Sequence, residues 1–329
     1  MNKKIYIYTL LLLPLLLSVG IFAQADEFGG GIVPIDIIAE PKEFVPGSEI
    51  LLRASYYLTD VDRINFDWFV NGKRVSSGIG KKSITVIAPK LGEPLVVKMN
   101  ADAPNGRFLT KSITIRTADV DLLWETDTTS PMLYKGKTLP SNGSLLKIVA
   151  LPHFVSDTGG EFDSSDLFYE WRVAGKKLIS ESGKGKNFIF TNTKQLSNHT
   201  DIEVKVSTLG RTYNATGRTS IVHVIPEVLL YEKKPLFGVD YSLMVPDIFE
   251  LPRGEATIKA EEYNFPIGEG GKRTISWEVN GDKTNKIGDT FTILREPGAN
   301  SSGIARLSVV IDSIDSILQT IKREVNIRF

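Results

Sequence analysis

The sequence lacks cysteine altogether among its 329 residues. Disulfide bonds, cysteine-containing metal sites and thiol catalysis are therefore excluded, and so is a lipoprotein anchor, which needs a cysteine at the cleavage point. Histidine is scarce, and His153, His199 and His223 do not have the H-x-x-x-H or H-E-x-x-H spacing of a zinc site.

An excess of either charge is lacking too, because 39 acidic and 39 basic residues cancel. A neutral chain has no broad electrostatic attraction to nucleic acid or to anionic membranes, so we expect neither as a partner. With 42% hydrophobic and 24% charged residues, the chain can bury cores and is neither disordered nor embedded in a membrane.

Long hydrophobic runs are confined to the N-terminus. Residues 1–25 have the parts of a secretory signal peptide: a basic start, an apolar stretch from Ile5 to Phe22, and the cleavage pattern Ala-Gln-Ala. We expect the mature chain to begin at Asp26 and to be exported, either secreted or held at the cell surface or in the periplasm. The alternative is an uncleaved membrane anchor, since the apolar stretch is near the lower limit for spanning a bilayer.

Signatures of catalysis are lacking as well. There is no G-x-S-x-G nucleophile elbow, and the stretch 183–186, GKGK, lacks the spacing of a phosphate-binding loop and precedes a predicted strand. We therefore predict no catalytic residues, no cofactor and no enzymatic activity. An enzyme assembled from distant loops is an alternative that the sequence leaves open.

What the sequence does contain is a motif in three copies: DWFVNGKRV from residue 67, EWRVAGKKL from 170 and SWEVNGDKT from 276. In a two-sheet sandwich a tryptophan on a central strand fills the ~10 Å gap between the sheets. The valine two residues later should face the same core, and the glycine after it should form a tight hairpin turn, for which Asn-Gly is favoured. The predicted core and turn residues are Trp68, Val70, Gly72, Trp171, Val173, Gly175, Trp277, Val279 and Gly281.

Trp-x-Val-x-Gly resembles the W-x-F-G-D-G stretch of PKD and Ig-like domains, which occur in tandem in exported bacterial surface proteins. The lead-in Pro46-Gly47-Ser48 resembles the P-x-x-P-G opening of that family. The Gly-Asp-Gly turn is missing, as are the cysteine pair and tyrosine corner of antibody-type domains. The repeat and the resemblance together predict an all-β chain of three tandem Ig-like or PKD-like antiparallel β-sandwiches.

The repeat also predicts the domain boundaries. The signal peptide, 1–25, is followed by a Gly-rich lead, 26–35, and by Ig-like domains at 36–118, 119–224 and 225–329. Because almost no linker separates the domains, we expect an extended rod.

Two surface features leave alternatives open. Acidic residues near turns are interpreted as solvated loops, with a calcium site as the alternative; they are Asp60, Asp62, Asp119, Asp121, Asp157, Glu161, Asp163 and Asp166. Trp124 and Tyr231 fall at matching positions in LLWE and LLYE, and we interpret them as packing at domain junctions, with ligand binding as the alternative.

The hypothesis that follows is a non-enzymatic protein of the cell surface or envelope. It would act as a spacer, an adhesin or an accessory of an envelope assembly such as a pilus or secretion apparatus, through protein–protein contacts. The alternative is a carbohydrate-binding accessory module that uses exposed aromatic side chains.

Overall fold

A computed structural model describes residues 35–57, 60–104, 106–251, 254–268, 272–295, 302–314 and 319–329. The described chain is built of β-strands, with short 3₁₀ turns at Val61–Arg63 and Ser164–Asp166, and those ranges contain no α-helix. The predicted signal peptide and nearly all of the Gly-rich lead lie outside the described residues.

The first unit is an antiparallel two-sheet sandwich. Its strands are β1 (Asp36–Glu40), β2 (Glu49–Ser55), β3 (Asn65–Val70), β4 (Lys73–Ile79), β5 (Ser83–Ile87), β6 (Leu95–Asp102) and β7 (Phe108–Ile115). One sheet has the order β1-β2-β5 and the other β4-β3-β6-β7. Along β2 and β6 buried side chains alternate with exposed ones, so each sheet turns one face to a shared core.

The second unit repeats this order. Its strands are β8 (Asp119–Thr126), β9 (Leu145–His153), β10 (Phe168–Val173), β11 (Lys176–Lys177), β12 (Gly183–Lys184), β13 (Phe188–Asn192), β14 (His199–Ser207) and β15 (Asn214–Val222). The sheets are β13-β9-β8 and β11-β10-β14-β15, and β12 also pairs with β10.

The third unit keeps the order and adds two strands in its first connection. Its strands are β16 (Glu227–Lys234), β17 (Gly238–Met244), β18 (Ile248–Glu250), β19 (Glu255–Tyr263), β20 (Arg273–Val279), β21 (Asp282–Ile287), β22 (Thr290–Leu294), β23 (Ile304–Ser313) and β24 (Thr320–Arg328). The sheets are β17-β16-β19-β22 and β18-β24-β23-β20-β21, in which β18 runs parallel to β24. One strand order thus occurs three times, which confirms the predicted fold class of tandem Ig-like β-sandwiches.

Each unit has its own hydrophobic core around one tryptophan. Trp68, Trp171 and Trp277 lie on the central strands β3, β10 and β20 and are fully buried. Each indole N–H donates to a backbone carbonyl in the connection before β5, β13 or β22; the acceptors are Lys81, Lys186 and Gly288, at 2.7, 2.8 and 2.8 Å. The three valines are half-buried and pack against the same cores; they are Val70, Val173 and Val279.

The turn after each of these strands has two consecutive residues at positive φ, as a type I′ turn requires. The pairs are Asn71-Gly72, Ala174-Gly175 and Asn280-Gly281. In the first and third units the asparagine Oδ1 also accepts a 2.9 Å hydrogen bond from a backbone N–H of the neighbouring strand region, at Val96 or Arg306. Alanine in the second unit has no such acceptor.

Candidate functional site: the junctions between the units

A salt bridge connects the first and second units at their junction. Arg116, just after β7, binds Asp157 in the loop after β9: its Nε donates to both carboxylate oxygens at 3.0 Å, and its Nη2 donates to Oδ2 at 2.7 Å. The hydroxyl of Tyr213 donates to the same carboxylate, and the Arg116 guanidinium lies 5.8 Å from the Tyr213 ring centroid. The hydrogen bonds from Arg116 and Tyr213 hold the pKa of Asp157 below its usual value.

A second contact crosses the same junction from the connection between β1 and β2. Glu43 accepts a 2.7 Å hydrogen bond from the Thr216 hydroxyl on β15, and its carboxylate lies 3.8 Å from Arg218 and 4.0 Å from Lys205. Exposed ion pairs contribute little individually. Together with the salt bridge between Arg116 and Asp157, this contact connects two separate loops of the first unit to the second unit.

The junction between the second and third units contains main-chain pairing. Thr129 N–H donates to Phe265 C=O and Asn264 N–H to Thr129 C=O, both at 2.8 Å, and Ile267 N–H donates to Asp127 C=O at 3.0 Å. The segment after β8 thus forms a short antiparallel ladder with the segment after β19. Backbone bonds of this kind fix the distance and direction between their segments.

Side chains extend the same junction. Asn264, at φ 56°, accepts a 2.9 Å hydrogen bond from Leu139 N–H through Oδ1, and its backbone carbonyl accepts from the Ser141 hydroxyl at 2.6 Å. Gln319 Nε2 donates to the carbonyl of Asn142 at 2.8 Å. The long connection between β8 and β9 therefore contacts two different loops of the third unit.

Tyr231 lies in a tyrosine cluster beside this junction. It is 7% exposed, its hydroxyl is 3.0 Å from that of Tyr263, and its ring centroid is 5.2 Å from that of Tyr241. Tyr134, from the second unit, packs edge-on against Tyr263 at 5.8 Å. A hydrogen bond to Glu261, followed by burial, raises the pKa of Tyr241 to about 12. Tyr231 thus has no free face on which a sugar ring could stack.

Trp124 is placed differently, away from the tyrosine cluster. It is half-buried against the core of the second unit, and the ammonium of Lys137 lies 3.2 Å from its ring centroid. Lys137 belongs to the connection between β8 and β9, and burial lowers its pKa. The contact is a cation–π interaction within one unit. The matching positions of Trp124 and Tyr231 therefore have different surroundings.

The acidic residues that motivated the calcium alternative do not converge. Asp60 accepts from Asp62 N–H at the 3₁₀ turn, Asp62 pairs with Lys82, and Asp157 pairs with Arg116. The remaining partnered acids have local partners of their own: Asp119 with Val120 N–H, Asp121 with His153, Asp163 with Ser165 N–H, and Asp166 with Lys184. Across the described ranges, no group of three or more His, Asp or Glu residues is placed to hold a metal ion.

Sequence reasoning did not identify the junction residues Glu43, Asn264 and Gln319. Each is a single polar residue in a loop, without a motif around it, so no local signal was available. In the sequence, Asp157 is distinguished only as one residue of an acidic loop. Within the part of the chain that the structure describes, no helix has the length and apolar character needed to cross a bilayer.

No family model matches this sequence, and neither does any curated protein. Among solved structures, the chain is similar to the three N-terminal domains of the bacteriophage RB49 highly immunogenic outer capsid protein, with 11% identity and a TM-score of 0.26 over 89% of this chain and 97% of that one. It is similar to fibronectin(III)-like modules of Clostridium thermocellum CbhA, with 15% identity and a TM-score of 0.28 over 57% and 94%.

A third similar structure is that of a 1.5-MDa bacterial ice-binding adhesin, with 9% identity and a TM-score of 0.25 over 90% of this chain and 96% of that one. Fibronectin(III)-like modules and immunoglobulin domains are thus both among the structures to which the chain is similar. The strand order of this chain itself defines its fold.

Proposed function

We propose that the protein is a non-enzymatic, exported spacer of the cell surface or envelope, which presents its outer loops and sheet edges to protein partners. In this proposal its Ig-like domains are residues 36–118, 119–224 and 225–329, arranged as an extended rod. The bound partner is a protein, and no cofactor takes part.

The observation that supports a spacer is the way in which successive units are joined. A chain of binding modules on flexible tethers would have long polar linkers. Here the Arg116–Asp157 pair and the ladder of Thr129 with Asn264 and Phe265 connect neighbouring units directly. Such contacts resist bending, so the far end of the protein stays at a set distance from the near end.

Proximity labelling in the native cell tests the proposal. A labelling enzyme is fused after Phe329, and the control carries the same enzyme directly after residue 25. We expect envelope or surface proteins to be enriched over the control. Labelling confined to cytoplasmic proteins would contradict export, and labelling identical to the control would contradict a protein partner.

A further inference from the structure

The third unit displays two apolar side chains at the tip of its additional hairpin. In the turn between β16 and β17, Leu236 is 104% exposed and Phe237 is 88% exposed. Leu236 also has φ 67°, a region that bulky side chains rarely adopt. The corresponding connections of the other units, 41–48 and 127–144, are described in full and contain no strand. A protruding apolar tip of this kind is typical of a surface that is covered by a partner.

An apolar cavity of about 460 Å³ opens between the two sheets of the same unit. The cavity lies at the end of the sandwich where β19 begins and β22 ends, since Glu255 pairs with Leu294. This end of the sandwich is farther from the second unit, and β16 also ends there. Most of the residues that line the cavity are apolar, among them Leu251, Phe291, Ile293, Leu307, Ile327 and Phe329.

The first unit indicates what could occupy such a space. Phe44 lies three residues before Gly47, which has φ 79° and precedes β2, and its ring packs against the first core. Leu251 lies three residues before Gly254, which has φ 79° and precedes β19. The smaller side chain leaves more room at this position. The cavity is therefore suited to an aromatic side chain supplied from elsewhere.

The tip cannot fill the cavity of its own unit. In the sheet order β17-β16-β19-β22, the hairpin and β22 are at opposite edges. Strands are spaced by about 4.8 Å, so the two features lie roughly 10–14 Å apart across the sheet. A two-fold axis through this end of the unit would place the tip of each copy on the cavity of the other. One surface would then contribute both halves of a closed, self-complementary contact.

We propose that the protein forms a two-fold dimer through its third unit, in which Leu236 and Phe237 of each copy insert into the cavity of the other. The second copy fills a cavity that the described residues of one chain leave open. This dimer does not depend on the envelope partner proposed above, since it requires only the third unit of two chains.

Sedimentation of the purified full chain up to roughly 100 μM tests the dimer. We expect a mass that stops at twice that of one chain. Phe237→Ser removes the inserted ring, and Leu251→Phe fills the cavity from within. Burial of one aromatic ring changes affinity by at least about tenfold, so either variant, which alters two contacts per dimer, should weaken association roughly 100-fold.

Leu243→Ser is the matched control, because Leu243 is 72% exposed on β17 but lies outside the tip. It should leave the dimer unchanged, and all three variants should keep the thermal unfolding midpoint within a few degrees of the unaltered protein. A mixture of Phe237→Ser and Leu251→Phe chains retains one intact tip and one intact cavity. That mixture should associate more tightly than either variant alone.

Four outcomes would overturn the proposal. They are a monomer at every concentration, a mass that keeps growing beyond two chains, a dimer that both variants leave intact, and binding of the monomer to anionic phospholipid vesicles that Phe237→Ser abolishes. The last outcome would assign the tip to a lipid surface.

Discussion

At the scale of single residues, the three buried tryptophans have a polar role besides filling the core. Each indole N–H reaches a main-chain carbonyl in the connection that crosses from one sheet to the other. Burial of an indole ring is favourable only where its N–H group finds a hydrogen-bond acceptor. The tryptophan thus fixes both the spacing of the sheets and the path of this connection.

Trp171→Phe should destabilise the second unit by about 1–3 kcal/mol, because the carbonyl of Lys186 loses its donor inside the protein. Hydrogen exchange resolved by segment is the suitable measurement, since a chain of several units need not unfold in one step. Trp124→Phe provides a control with a half-buried ring and should have a smaller effect. Equal effects of both changes would contradict the role of the indole bond.

A buried carboxylate makes the third unit sensitive to pH. Glu262 is 7% exposed on an inward-facing position of β19, and its Oε1 accepts from Arg273 Nε at 2.7 Å. Burial raises the pKa of Glu262 despite this partner. The stability linked to this group is therefore present at low pH and is lost as pH rises through the raised pKa.

Glu262→Gln removes that dependence. We expect the variant and the unaltered protein to have similar free energies of unfolding near pH 4 and the variant to be more stable at pH 7, because only the carboxylate must ionise in a buried position. Urea unfolding at both pH values measures the difference. A difference that is the same at both pH values would show that the ionisation of Glu262 is not involved.

At the scale of structural elements, the recurring turn shows how the residue at its first position changes the hydrogen bonding of a hairpin. Asn71 and Asn280 occupy left-handed conformations that asparagine tolerates, and each side chain accepts a backbone N–H from the next strand region. Ala174 has the same conformation, with φ 47°, and donates its own N–H to Asp201 C=O at 2.8 Å. The geometry for the side-chain bond is therefore already in place.

Ala174→Asn should stabilise the second unit by about 0.5–1.5 kcal/mol, through a hydrogen bond from Asp201 N–H and relief of the strained backbone. The reverse changes, Asn71→Ala and Asn280→Ala, should destabilise their own units by a similar amount. Thermal unfolding of the three variants measures all of these effects. Destabilisation by Ala174→Asn would mean that the turns are not equivalent.

At the scale of the whole molecule, the properties of the protein depend on its junctions. The hydrogen bonds from Arg116 and Tyr213 lower the pKa of Asp157, so the stabilisation that this carboxylate provides is present above its unfolded value, 3.8. It is lost as the pH falls through the lower, folded value. The first junction should therefore be tight at neutral pH and loosen only in acid.

Asp157→Asn should loosen this junction already at pH 7. Because the sequence has no cysteine, spin labels can be attached at Lys73→Cys and Lys176→Cys, two exposed positions in different units, without background labelling. We expect a narrow distance distribution that broadens with Asp157→Asn. Asp282→Asn, in an exposed strand of the third unit, should leave it unchanged. A distribution that is equally broad in every variant would contradict a stiff junction.

The class of fold and the number of repeats follow from local patterns in the sequence. Strand signals are local, since alternating burial and positive-φ turns depend on neighbouring residues, and the spacing of Trp68, Trp171 and Trp277 repeats the pattern. The sequence gives no sign of the added strands β17 and β18. It also does not show that Trp124 and Tyr231 have different surroundings. The junctions could not be predicted in this way, because contacts such as Thr216 with Glu43, 173 positions apart, arise from loops that meet once the sandwiches have formed.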